Sequence, residues 1–200
     1  MFTGIIKKTS NLKNIKPVQG SLEIEISNNF GKIKLGESIN INGVCSTVKK
    51  SGKNIFFEYM PETLNLSNLS FLKKGDEINV EQSMRLNDRL DGHIVLGHID
   101  GKGKILSIKA EGNSKVFEIK IPDKKFEKFL VYKGSVAMEG ISLTVAKVLK
   151  NKGVICNLYI FRAMKIKKNV EEFTIPRPMR FFCNSCLAGL FDHNREGRSS

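Results

Sequence analysis

The sequence predicts an all-β protein made of two tandem, antiparallel β-barrels of the Greek-key type, each of about six strands. Three observations predict it. Two stretches, LGESININGVCSTV (35–48) and YKGSVAMEGISLTV (132–145), are copies of one pattern, with Gly43 and Gly140 separated by 140 − 43 = 97 residues, close to half of the 200-residue chain. Short runs of alternating apolar residues recur along both halves, the period of a strand with one buried face. Glycine or charged turns end these runs, and few segments have the length or period of a helix.

Taken in order, Met1–Lys8 alternates weakly and is expected to be the first strand, with Gly4 as a point of close backbone approach. SLEIEIS (21–27) alternates strictly, so Leu22, Ile24 and Ile26 face one way. The first copy of the repeat follows, then the strand NIFFEYM (54–60). Pro61 suits the first turn of a short helix, where Thr63 or Ser67 can satisfy free amides. After the turn KKGD (73–76), EINVEQ (77–82) is the strand that closes the first unit.

DRLDGHIVLGHID (88–100) joins the halves, dividing the chain into units 1–94 and 95–200. The pattern restarts with Gly101, which lies 97 residues after Gly4. VFEIKI (116–121) echoes SLEIEIS, a short helix is expected over 122–132, and GVICNLY (153–159) echoes NIFFEYM. The echo then stops. Pro176 and Pro178 sit where a barrel-closing strand belongs and cannot donate to its ladder, so the second barrel is expected to be incomplete. Residues 180–200 have no clear period and are expected to form an irregular or short helical tail.

Composition excludes several functions. Forty per cent hydrophobic and 26% charged residues describe an ordinary globular chain. No apolar run approaches the roughly 20 residues of a membrane span, and MFTGIIKKTS has no signal-peptide core, so a cytoplasmic protein without membrane contact is expected. The net charge of +13 raises nucleic-acid binding, but the lysines are scattered at strand ends and turns, with no basic helix or RNA-binding aromatic signature. No nucleic-acid partner is expected. The four cysteines, 45, 156, 183 and 186, form no disulfide framework. Cys183, Cys186 and His193 fall short of the four ligands of a structural zinc site, and no metal or cofactor is expected.

The chemistry concentrates at the repeated turn. Cys45-Ser46-Thr47 and Ser142-Leu143-Thr144 each place a nucleophilic or hydrogen-bonding atom beside a glycine that admits a ligand to the backbone. Without further information Cys45 reads first as a small buried apolar residue, Ser38 and Thr47 read equally as ordinary strand residues, and Lys133 reads as a solvated lysine. His93 and His98 stand five residues apart, on opposite faces of a regular strand, so one of them at most points into a site unless the backbone bulges.

Five pieces in order, MFTGII, SIxxNGVCxTV, ETLxxxxL, DxxxGHxVxGHxDGxGxI and YKGSVxxEGISLTV, resemble riboflavin synthases of the two-repeat, lumazine-binding type, over about Met1 to Leu158. The resemblance implies the dismutation of two 6,7-dimethyl-8-ribityllumazine molecules into riboflavin and a ribitylamino-pyrimidinedione, without metal or cofactor. It implies a homotrimer in which each site forms between the first barrel of one copy and the second barrel of the next. A carrier of the same fold that binds lumazine or riboflavin without turnover is the alternative. Catalytic roles are implied for Cys45, His98 and Ser142, with His98 preferred over His93. Substrate contacts are implied at Ser38, Ser46 and Thr47 beside Cys45, and at Gly4, Ile5, Ile6, Gly97 and Ile99 along the first pocket. Tyr59, Met60, Glu62 and Thr63 form its far wall, and Lys133, Leu143 and Thr144 belong to the second pocket, with Glu139 at an acidic position of some relatives. Two features of the family are not legible: the L-[IV]-P-x-T motif, where this chain has Leu158-Tyr159-Ile160-Phe161-Arg162, and the later acidic strand end.

Overall fold

The computed structural model of the protein describes residues 1–121, 124–149, 153–159 and 172–178. Alternation decides where the strands form and which way they face. The first sheet contains β1 (Lys8–Val18), β2 (Ser21–Ser27), β3 (Ser38–Ile41), β4 (Val44–Thr47), β5 (Lys50–Ser51), β6 (Asn54–Tyr59) and β7 (Glu77–Gln82); β4 and β6 bury every second residue, whereas β3 and β7 also bury Asn40 and Asn79. Ile24 and Ile26 of β2 and Ile55, Phe57 and Tyr59 of β6 all point inward. The seven strands make one antiparallel sheet in the order β4-β3-β7-β1-β2-β6-β5. The sheet curls until its ends meet: Ser46 of β4 and Tyr59 of β6 share a buried hydrogen bond of 2.6 Å across the interior. Helix α1 (Pro61–Leu66) and a 3-10 turn (Asn68–Phe71) follow β6, and Ser67 caps the turn by accepting from the Leu69 amide.

The second sheet contains β8 (Val95–Glu111), β9 (Ser114–Lys120), β10 (Ser135–Met138), β11 (Ile141–Leu149), β12 (Gly153–Tyr159) and β13 (Glu172–Pro178), in the order β10-β11-β12-β9-β8-β13. A 3-10 helix, Lys124–Phe129, stands where the sequence predicts a short helix. Pro176 and Pro178, expected to prevent a strand here, nonetheless lie in one, at an edge of the sheet. Strand β13 pairs antiparallel with β8 from Lys104 to Val95, and its register shifts at Pro176 and Pro178. An edge strand with bulges tolerates prolines that a central strand would reject. The expected tail after residue 178, with Cys183, Cys186 and His193, lies outside the described residues, as does most of the stretch where the family motif is missing.

The first-strand prediction also needs correcting. Strand β1 begins at Lys8, and Met1–Lys7 leaves the first sheet to cross to the second repeat. Phe2 forms an antiparallel bridge with Val95, through Phe2 N–H to Val95 O at 2.8 Å and Val95 N–H to Phe2 O at 3.0 Å. Gly4 takes φ +75° and Gly97 takes φ +77°, so Gly97, not Gly101, is the counterpart of Gly4. The second repeat holds four more residues between glycine and turn than the first (140 − 97 against 43 − 4), so one fixed offset cannot align both ends.

The crossing is reciprocal. Ile6 is buried in the second core with Phe117, Ile119, Met138 and Ile141, while Ile99 packs against the first core of Leu12, Ile24, Ile39 and Phe57. Between the cores Phe2, Val95 and Ala137 form a third buried cluster, against which Cys45 packs. Full burial of a side chain the size of Phe2 stabilises the junction by roughly 1.5–3 kcal/mol. Where residue i meets j and the equivalent of j meets the equivalent of i, the two halves are related by a local twofold.

Ser46 and Tyr59 were expected to line a pocket, and the structure places both in the first core, at 2% and 3% exposure. Leu143, also expected in a pocket, occupies the matching core position of the second repeat. Ser46 stands where the second repeat has this leucine, and the Tyr59 ring reaches across to it while its hydroxyl satisfies the serine. Replacing Tyr59 by Phe leaves the Ser46 hydroxyl with only the Val44 carbonyl, at 3.0 Å. Urea denaturation of Tyr59→Phe is expected to show a loss of about 1 kcal/mol, with ligand binding unchanged.

Candidate functional site

The same burial pattern repeats at the two glycine turns. Val44 and Ser46 of β4, and Ile141 and Leu143 of β11, point into the cores; Cys45 and Ser142 are half-buried; Thr47 and Thr144 are exposed. Alternation thus puts Cys45 with Thr47, and Ser142 with Thr144, on outward faces. These are two stations of one design, the first built on Cys45 and the second on Ser142.

Each station is floored by the crossing segment of the other repeat. A Cβ on Gly97 would lie 2.7 Å from Cys45 Cβ and 2.8 Å from Cys45 N. A Cβ on Gly4 would lie 2.9 Å from both Ser142 Cβ and Ser142 N. Only glycine fits at either place, by contact as well as by its left-handed φ. The Ser142 amide donates to Gly4 O at 2.8 Å, which fixes the approach. Gly4 therefore stands at the second station, whereas the sequence reading put it with Ile5 and Ile6 in the first pocket; Ile6 is buried in the second core. Gly97 and Ile99 remain with the first.

The histidines divide differently from the expectation. His98 is exposed on β8 beside Gly97. His93 is half-buried, and its Nδ1 shares a 2.7 Å hydrogen bond with Ser142 Oγ. Burial lowers the His93 pKa from 6.5 to about 4, so the ring is neutral near pH 7. The signal that could have found this pair was the duplicated Gly-His of GHIVLGH. Gly92 packs so closely on the strap that a Cβ there would lie 2.1 Å from Thr3 O, and this fixes the backbone next to His93.

Around the first station, Ser38 and Asn40 of β3 stand opposite Thr47 and Cys45 of β4. Met60 and Glu62 are exposed and Thr63 is half-buried at the start of α1. At the second, Lys133 is exposed and holds φ +64° where the first repeat has Gly36 at φ +80°. A lysine in this conformation costs about 1 kcal/mol or more relative to glycine. Glu139 joins neither station. It is buried between the repeats, where Asn68 Nδ2 donates to its carboxylate at 2.8 Å and Asn79 Nδ2 donates to its carbonyl at 3.1 Å.

A groove of about 740 Å³ opens between residues 3–8, β7 and the 83–91 connection. Of the predicted set it takes Ser38 and Ile5, together with Glu81, Lys7 and Arg85, and it reaches neither Cys45 nor Ser142. The groove therefore does not unite the chemistry. Cys45 and Ser142 sit on outward faces. Among the described residues no cluster of His, Cys, Asp and Glu is placed to hold a metal ion, and no helix is long and apolar enough to cross a membrane.

Two measurements probe this geometry. Because the folded His93 pKa lies below its unfolded value, the unfolded chain binds more protons as pH falls. Stability from this group is fully present above about pH 6.5 and is lost as pH falls towards 4; thermal midpoints of His93→Gln should lack that part of the decline. For Lys133→Gly, relief of the left-handed strain offsets the entropy of glycine, so stability should stay within about 1 kcal/mol.

The lumazine binding domain family matches this chain twice, at residues 3–83 and 96–174. The riboflavin synthase of Bacillus subtilis (strain 168) is 39% identical over 148 residues, which are 72% of this chain and 68% of that protein. The riboflavin synthase of Escherichia coli (strain K12) is 36% identical over 152 residues, 74% of this chain and 71% of that protein. The riboflavin synthase of Photobacterium phosphoreum is 34% identical over 179 residues, 88% of this chain and 78% of that protein. Among solved structures, LumP complexed with riboflavin shares the fold, with a TM-score of 0.74 at 20% identity over 90% of this chain and all of LumP. With two matched repeats, each on its own β-sheet, and relatives at this level of identity, the chain belongs to the riboflavin synthase family of lumazine-binding proteins.

Proposed function

We propose that this protein is a riboflavin synthase that dismutates two molecules of 6,7-dimethyl-8-ribityllumazine into riboflavin and 5-amino-6-ribitylamino-pyrimidinedione. It acts in the cytoplasm as a homotrimer, each site closed between the 1–94 unit of one copy and the 95–200 unit of the next. The observation that carries the reading is the Ser142–His93 pair at 2.7 Å, mirrored by Cys45 at the equivalent turn. The family names of the relatives support the same activity.

The reaction transfers a four-carbon unit between two identical molecules, so no oxidant or reductant is consumed. It requires a proton removed from an activated methyl group, a nucleophile added to a ring carbon, and two flat heterocycles held face to face. In this reading the second station holds one lumazine. Ser142 and the neutral His93 relay its proton, a ring with so low a pKa passing the proton on rather than keeping it. Cys45 at the first station adds reversibly to the other ring or holds the water that does. Ser38, Thr47 and Thr144 supply hydroxyls to the pyrimidine edges, Thr63 and Lys133 hold the ribityl chains, and His98 extends from the rim. Two outward half-sites on one chain are what assembly between copies would bring face to face.

The fold shared with LumP favours a second reading, a carrier that holds lumazine without converting it. Incubating the purified chain with 6,7-dimethyl-8-ribityllumazine separates the two. The expected outcome is one riboflavin per two lumazines, with kcat reduced about 100-fold or more in Cys45→Ser and Ser142→Ala while riboflavin affinity stays within a few-fold. Lumazine that binds and remains lumazine would leave only the carrier.

A further inference from the structure

Resting on the reading of Ser142 and His93 as the working pair of the second station, we propose that Glu81 is a positioning residue for that pair. It acts across the molecule through the two-residue strap Thr3–Gly4. Glu81 lies on β7 of the first repeat and belongs to none of the motifs that mark the site.

Every backbone polar group of the strap is committed. Thr3 N–H donates to Glu81 Oε1 at 2.7 Å, and Gly4 N–H donates to Glu81 Oε2 at 3.1 Å. The Thr3 hydroxyl also donates to Oε1, at 2.7 Å. On the other side, Thr3 O accepts from the His93 amide at 3.0 Å and Gly4 O accepts from the Ser142 amide at 2.8 Å. The carboxylate therefore grips the strap by its donors, and the strap grips both members of the pair by its acceptors.

The arrangement has no slack. Gly92 and Gly4 are packed so tightly that a Cβ would meet Thr3 O at 2.1 Å and Ser142 Cβ at 2.9 Å. A strap that shifts by a few tenths of an ångström must carry His93 or Ser142 with it. Three donors converging on one side chain call for a group that only accepts, which an ionised carboxylate is and an amide is not. Glutamine would turn an NH₂ group towards Thr3 or Gly4. Burial raises the Glu81 pKa, and the bonds from Thr3 and Gly4 offset part of that cost. A carboxylate retained against burial is better explained by positioning than by stability.

The test uses the full chain with Glu81→Gln, Thr3→Val and Thr3→Ser. Turnover of 6,7-dimethyl-8-ribityllumazine, thermal midpoint and the ring resonances of His93 and His98 are measured on each. For Glu81→Gln the expected result is a kcat at least 10-fold lower, KM within about twofold, and a chain that still unfolds cooperatively, its thermal midpoint lower by a few degrees because one strap donor loses its acceptor. The His93 resonances should move while those of His98 stay in place. Thr3→Val should follow Glu81→Gln, and Thr3→Ser, which keeps the hydroxyl, should behave as the parent. A folded Glu81→Gln chain with parental kcat and unmoved His93 resonances would overturn the proposal. If Glu81→Gln does not fold, the Thr3→Val and Thr3→Ser pair decides: equal behaviour of the two sinks the idea. A parent chain that converts no lumazine would instead defeat the synthase reading, and the His93 resonances would still decide whether Glu81 sets the pair.

Discussion

The antiparallel bridge between Phe2 and Val95 is the constraint on which the rest of the molecule depends. The two residues are equivalent positions of the two repeats, so their paired hydrogen bonds of 2.8 and 3.0 Å lie on the local twofold. Both residues are essentially inaccessible, and a hydrogen-bond pair shielded from water is costly to open. From this point the two crossing segments diverge, Gly4 towards Ser142 and Gly97 towards Cys45. Neither repeat completes its own station, and the coupling of the halves follows from strand pairing at the axis rather than from a separate interface.

Equivalent scaffolding then permits unequal chemistry. The twofold preserves what sets the backbone: left-handed glycines at 4 and 97, and the turns at Asn42-Gly43 and Glu139-Gly140 with positive φ throughout. It does not preserve the reacting atoms, since Cys45 of one copy is Ser142 of the other and His98 stands in the place of Ile5. Strain is also distributed unevenly. Asn42 holds its left-handed position comfortably, whereas Glu139 does so only with Asn68 and Asn79 fixing it between the repeats.

Much of this was legible in the residues. The fold class, the duplicated turn, the short helix after Met60 and the inward faces of SLEIEIS and NIFFEYM all follow from local rules: the two-residue period of a strand, the φ freedom of glycine and the fit of proline to a first helical turn. The equivalence of Cys45 and Ser142 was legible for the same reason, because a repeated glycine turn advertises itself in one dimension.

What the sequence by itself determined was therefore each repeat as a unit, and what only the tertiary structure decided was how the units trade parts. Alternation says that Ser46 and Cys45 face opposite ways but not which of them meets solvent; the Tyr59 hydroxyl, supplied from β6, turns Ser46 inward. No spacing rule places His93 rather than His98 beside Ser142, because that contact depends on Gly92 resting on Thr3, residues far apart in the chain. Pro176 and Pro178 read as strand breakers until β8 offers them an edge, where a missing N–H need not face a partner. Periodicity is a property of neighbours along the chain, whereas the exchange, the Ser142–His93 pair and the Glu81 clamp are contacts over long separations that only the folded chain brings together.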